Sequence, residues 1–176
     1  ERPSTSTCSR TRRSSCSTST RSVSARGRSP LTRSQYRDHS FLDKRLGPLL
    51  QHAERLDLDA LRHAHERWRA DADAPAANRY VFHTAFCAST LLARCLDHPG
   101  ATHVAKEPLA LHRVSAIQRN RFAGAPAVAG ITDERWKGWL RLVADLLART
   151  FDPNEAPVVK TTDSTNHIAT DLLALD

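Results

Sequence analysis

A chain of 176 residues is long enough to bury one core of ordinary size. Its net charge of +7 is unevenly placed: residues 1–37 hold nine arginines and a single acid, Glu1, so the remainder carries −1 and the basic character belongs to the N-terminal tail. No apolar run approaches the roughly 18 residues of a membrane span, and the N-terminus lacks the apolar centre of a signal peptide, which points to a cytoplasmic protein without a membrane partner. The four cysteines (Cys8, Cys16, Cys87, Cys95) have neither zinc-ligand nor Cys-x-x-Cys spacing and suit a reducing compartment. The absence of methionine suggests a fragment or a processed start. Residues 1–33 are Ser, Thr and Arg with almost nothing apolar, so a disordered tail is predicted. Its arginines can pair with phosphates or acidic partners, and a nucleic-acid contact is expected nowhere else, although no aromatic side chain is interleaved for base stacking. An unselected leader is the alternative. Residues 34–78 are predicted to be helical. Phe41, Leu42, Leu46, Leu49 and Leu50 fit one helix interrupted by Gly47-Pro48. Asp57 or Asp59 then caps a second helix with Leu58, Leu61, His65 and Trp68 on one face, ending before Pro75. His52, His63, His65 and His83 fit surface or partly buried positions better than a metal site, and no metal is expected.

From residue 79 the pattern passes from strand through loop to helix. Tyr80, Val81 and Phe82 form a short apolar run expected of a buried parallel strand. The helix begins near Ala88, with Leu91, Leu92, Cys95 and Leu96 on one face. Between them lies a small-residue loop ending at a helix N-terminus, where unpaired amides and the helix dipole favour a phosphate. The stretch Ala85-Phe-Cys-Ala-Ser-Thr-Leu-Leu92 resembles the 5′-phosphosulfate loop of P-loop sulfotransferases, which use 3′-phosphoadenosine-5′-phosphosulfate (PAPS). Ser89 and Thr90 match its hydroxyl pair, whereas Phe86 stands at its cation and Ala88 at its glycine. The ATP-binding P-loop fits less well, because Phe82, Cys87 and Ala88 replace both glycines and the lysine. A cysteine-phosphatase loop is excluded, since Cys87 and Arg94 are separated by six residues rather than five.

After the turn His98-Pro99-Gly100, Thr102 to Lys106 is a second predicted strand, and Glu107-Pro108 ends it with the carboxylate on the same sheet edge as the loop. The same family leads through a His-Pro turn to a strand ending in a glutamate that serves as general base, so the resemblance implies that role for Glu107. A structural carboxylate paired with Lys106 or Arg113 is the alternative. A helix over 109–117 and a loop over 119–130 follow. Thr132 or Asp133 then caps a helix with Trp136, Trp139, Leu140, Val143, Leu146, Leu147 and Thr150 on its apolar face. Val158 to Lys160 is a third strand, and a capped turn leads into a helix carrying Ile168, Leu172, Leu173 and Leu175. Lys160-Thr161 resembles the family's Glu-Lys-Thr/Ser-Pro segment, whose lysine lies near the transferring sulfonate. Val159 and Thr162 replace its glutamate and proline.

The element order argues for an α/β fold with a parallel sheet flanked by helices. The resemblance covers residues 79–176 and implies the front half of a P-loop sulfotransferase-like domain, incomplete at its C-terminus, with the 3′-phosphate site expected after residue 176. It further implies sulfonate transfer from PAPS to a small-molecule or glycan hydroxyl or amine. Phe86, Cys87, Ala88, Ser89 and Thr90 would hold the cofactor, Glu107 would take the acceptor's proton, and Lys160 would offset charge on the bridging oxygen. A degenerate, non-catalytic module binding a phosphorylated ligand or a protein partner is the second possibility. A P-loop kinase or NTPase is the third, opposed by the missing loop lysine and Mg²⁺-binding acid.

Overall fold

The computed structural model describes residues 25–26, 32–43, 46, 55–71 and 76–175. The rest of the predicted 1–33 tail, the Gly47-Pro48 break, Leu49, Leu50 and His52 lie outside these residues. At its centre is a three-stranded parallel sheet in the order β3–β5–β4. The strands are β3 (Arg79–Val81), β4 (Thr102–Lys106) and β5 (Ala156–Lys160). The last strand inserts between the first two, with Val81 and Lys106 each in register with Lys160. All three strands therefore end at one level. A separate antiparallel pair joins β1 (Ala25–Arg26) to β2 (Arg55–Leu56), so two positions of the predicted disordered tail are strand.

Helix α1 (Arg33–Asp38) opens with a capping box: the Thr32 hydroxyl accepts from the Gln35 amide and the Gln35 side chain accepts from the Thr32 amide. Helix α2 (Leu58–Asp71) is capped by Asp57, whose carboxylate accepts from the Ala60 amide at 2.8 Å. Its predicted face is only partly covered. His65 is buried and Leu58 and Leu61 are half-buried, but Trp68 is exposed. Helix α3 (Ser89–Leu96) covers one face of the sheet through Ala93, which packs on Val104 and Val158. Here the expected apolar face is corrected: Leu91, Leu92, Cys95 and Leu96 are exposed, and α3 buries Ser89 and Ala93 instead. Only small residues fit where the helix runs close over the strands.

The opposite face carries the main core. Helices α4 (Leu109–Phe122) and α5 (Asp133–Leu147) pack on Ala105 and Val159 through Leu111, Val114, Ile117, Trp136, Leu140 and Val143. Helix α4 runs through Phe122, past the predicted end at 117. The expected loop is therefore partly helix, with a 3-10 turn at Pro126–Val128. Thr132 caps α5 as predicted, by accepting from the Arg135 amide. Leu142 is buried in α5, and Leu146, assigned to its apolar face, is exposed. A 3-10 helix (Asp163–Ile168) and α6 (Ala169–Leu173) close this layer, with Ile168 and Leu172 buried and Leu173 exposed. The expected buried strand at 80–82 is β3, a sheet edge that is only half-buried. No helix among the described residues is long and apolar enough to cross a membrane.

Candidate functional site

All three parallel strands deliver chain to one edge of the sheet, and the loop of residues 82–88 lies there between β3 and α3. Its shape comes from two non-glycine residues in the left-handed region: Phe86 and Ala88 both have φ of 59°, while Cys87 between them does not lie there. Alternating handedness of this kind curls successive N–H groups toward one side, an anion-binding concavity. Among the described residues, the amides of Phe86, Ala88 and Thr90 have no hydrogen-bond acceptor, while Ala85 and Phe86 form a turn that carries the Cys87 amide back toward the Thr84 carbonyl. Ala88 is the N-cap of α3 and provides no side-chain cap, so these groups stay open at the positive end of the helix.

Residues beyond the loop hold it in place. The Thr161 amide and hydroxyl both donate to the Val81 carbonyl, at 3.1 and 3.2 Å. The Asn166 side-chain amide donates to the His83 carbonyl at 2.9 Å. The His83 ring is fixed through both nitrogens, with Nε2 2.8 Å from the Thr161 carbonyl and Nδ1 2.9 Å from the Thr84 carbonyl.

Glu107 and Lys160, assigned from strand ends, come together. The Lys160 ammonium is 1 % exposed, pairs directly with the Glu107 carboxylate and lies 3.4 Å from the Thr90 hydroxyl. Glu107 has φ of 51° and its amide donates to the Lys160 carbonyl at 2.8 Å, so the backbone turns sharply where the carboxylate is presented. The alternative partner, Lys106, turns away to Asp97, 2.8 Å distant, and to the Arg37 carbonyl. A cavity of about 330 Å³ is lined by the loop, Glu107, Lys160, Phe41, His83 and Asp163. A second, of about 480 Å³, lies on the β3 side against His83, Cys87, Ser89 and Asn166.

Of the five loop positions assigned to a cofactor, Cys87 and Ser89 line both cavities, and Ala88 and Thr90 line the smaller one, with Ser89 and Thr90 beginning α3. Phe86 also lines the smaller cavity, but its side chain is fully exposed. Sequence reasoning missed three contributors. His83 was weighed only as a metal ligand, yet its Nε2 is 3.8 Å from the Glu107 carboxylate; its place at the exit of β3 was the available signal. Asn166 braces the loop from 83 residues away, which no local pattern reveals. Phe41, whose ring centroid is 5.5 Å from the Lys160 ammonium, belongs to a segment read only as helix.

Fold and site together define an α/β protein whose parallel sheet carries, at the C-terminal ends of its strands, a cavity where loop amides, a buried lysine and a carboxylate meet apolar side chains. No family model matches the chain, and no curated protein or solved structure matches it.

Proposed function

We propose that the protein is sulfotransferase-like and transfers a sulfonate from PAPS to a hydroxyl or amine. The supporting observation is the convergence of Glu107, Lys160 and Thr90 on a loop with unpartnered amides. The donor set fits the 5′-phosphosulfate end of that cofactor: uncommitted amides at a helix N-terminus, one ammonium and one hydroxyl, all suited to oxyanions. PAPS, when bound, supplies the sulfonate. The loop amides would hold its 5′-phosphate, and the Thr90 hydroxyl and Lys160 ammonium would orient it and offset developing negative charge. The Glu107 carboxylate accepts the acceptor's proton, with Lys160 fixing its position. Small-molecule and glycan acceptors are both compatible with a cavity of this size.

Calorimetry with adenosine 3′,5′-bisphosphate tests the binding half, and binding no tighter than that of ATP with Mg²⁺ would overturn it. For the chemical half, Glu107→Gln is expected to leave bisphosphate binding intact and lower sulfonate transfer by about 10² to 10⁴-fold, the usual contribution of a general base. Equal transfer by the variant would remove Glu107 from the reaction. The second reading, a non-catalytic module for a phosphorylated ligand, is favoured by Phe86, which places an exposed phenyl ring where the family's cation stands.

A further inference from the structure

His83 follows the end of β3 and lines both cavities, with its side chain only 10 % exposed. Each ring nitrogen faces a backbone carbonyl, Nε2 at 2.8 Å from Thr161 and Nδ1 at 2.9 Å from Thr84. A carbonyl oxygen only accepts, so both contacts are hydrogen bonds only when both nitrogens carry a proton, which is the imidazolium form. In either neutral tautomer one nitrogen lone pair would point at an oxygen lone pair at bonding distance, leaving a bond unmade in a largely covered site. The Glu107 carboxylate, 3.8 Å from Nε2, favours the cation by simple attraction. Charge balance points the same way. The smaller cavity is lined by two carboxylates, Glu107 and Asp163, and one ammonium, Lys160, which is already paired with Glu107, so without a charge on His83 this lining is net negative. In the larger cavity His83 is, among the described lining residues, the one that can carry a positive charge.

We propose that His83 is the cation of this loop: an imidazolium pinned between the Thr84 and Thr161 carbonyls, whose charge lets the cavities accept an oxyanion and makes that binding stronger in mild acid. As pH rises the ring gives up one proton to solvent, one carbonyl loses its donor, and the charge that opposes Glu107 and Asp163 is gone. The other titratable and charged groups around the ring are Glu107 after β4, Lys160 at the end of β5, Asp163 at the start of the 3-10 helix and Cys87 on the loop. Helix α3 presents only uncharged side chains there, Ser89, Thr90 and Leu92. The charge on the ring is argued from its own contacts, whereas its action on an anion rests on the anion-binding reading given above.

The test uses the full chain, nitrogen-15 NMR of the imidazole rings, and calorimetry with inorganic sulfate, an anion that keeps both charges across the range used. His83→Gln, checked for folding by circular dichroism, assigns the His83 signals. At pH 7, where an ordinary imidazole is mostly neutral, both ring nitrogens of His83 are expected to carry a proton. A single protonated nitrogen at that pH would overturn the proposal before any binding is measured. Sulfate affinity is expected to fall about tenfold between pH 6 and pH 9, the worth of one charge-assisted hydrogen bond. His83→Gln keeps a donor but no charge, and should bind sulfate about tenfold more weakly at pH 6 without that fall. Cys87→Ala removes the neighbouring thiol, which ordinarily titrates in the same range, and should keep the fall; its loss there would assign the pH dependence to Cys87 and overturn the claim on His83. If His83 carries both protons yet the unmodified protein and His83→Gln bind sulfate equally, the ring only pins the loop and its role toward anions is wrong. If neither binds sulfate at any pH, the anion-binding reading falls while the charge on His83 stands on its NMR signals.

Discussion

At Ala88 and Phe86 the backbone adopts a conformation that glycine enters freely, and both residues bear a Cβ that makes it costly. The sulfotransferase loop that this stretch resembles has glycine at the position of Ala88, so the departure in sequence accompanies a left-handed backbone without its usual residue. Ala88→Gly should therefore stabilise the protein by about 0.5 to 1 kcal/mol, the relief of a strained Cβ less the extra freedom of glycine in the unfolded chain. A urea midpoint that rises with an unchanged slope would show this, and a fall would mean that the alanine methyl packs usefully. Phe86→Lys places an ammonium where the family carries its cation. It is expected to tighten adenosine 3′,5′-bisphosphate binding about tenfold through one charge-assisted hydrogen bond, measured by calorimetry. The pairing of Glu107 with Lys160 was legible because both stand at strand ends, and parallel strands that end in register place such residues side by side. The positive φ of Glu107 was not, since the following proline only biases the residue away from helix and leaves several conformations open.

Among the elements, those with strong periodicity or capping chemistry were readable, such as α5 with Thr132 at its cap, and β4, which spans the predicted residues. Helix α3 was misread because an apolar stripe reports which face could be buried, not whether anything lies against it. Helix α1 falls in the segment predicted to be helical from residue 34, but its separate start at the Thr32-x-x-Gln35 capping box was missed, because the helix lacks an apolar stripe. Arg37 pairs with Asp97 at 2.5 Å and Glu155 at 2.7 Å, Arg33 pairs with Glu155, and the Tyr36 ring lies tilted against the buried His103 ring with centroids 4.8 Å apart. This cluster predicts sensitivity to acid. Burial holds the His103 imidazole below its ordinary range, with nearby Arg37 and Lys106 adding to the effect and Asp97 and Glu155 opposing it. As pH falls past roughly 6.5, the unfolded chain takes up a proton that the folded His103 resists, and stability declines. Glu155 acts in the same direction. Burial alone would raise its carboxyl, but the Gly100 amide, Arg37 and Arg33 hold it below the usual range, so its stabilisation is present above the unfolded value near 4.5 and lost as pH drops through the folded one. The melting temperature should thus fall in two stages between pH 7 and pH 3. His103→Phe, which keeps a ring at this position, is expected to remove the first stage only; a variant that still declines between pH 7 and 5 would assign that stage elsewhere.

On the scale of the whole molecule, the α/β class and the parallel sheet were legible from the alternation of elements, whereas the order β3–β5–β4 was not, because insertion of the last strand depends on contacts some 80 residues apart in sequence. The split of the N-terminal region was equally opaque. Composition alone set a boundary near residue 33, yet Arg33 to Asp38 are joined by ion pairs to Asp97 and Glu155 on either side of β4, and the segment that follows reaches the site through Phe41. Two truncations measure where the folded molecule begins. Removing residues 1–24, which have almost no apolar surface to bury, should leave the melting temperature within about a degree. Removing residues 1–39 deletes Arg33, Tyr36 and Arg37, takes from the buried Glu155 the two cationic partners it has among the described residues, and takes Arg37 from Asp97, which keeps Lys106. Breaking a buried pair by taking one partner costs about 3 to 5 kcal/mol, which for a domain of this size is a fall of roughly 10 °C. Adding Glu155→Gln to the longer truncation should recover part of that loss, because the uncompensated buried charge is then gone. If the two truncations melt together, α1 is only loosely attached and the ion cluster contributes nothing measurable. If the first already destabilises, the basic tail supplies contacts that its composition does not suggest.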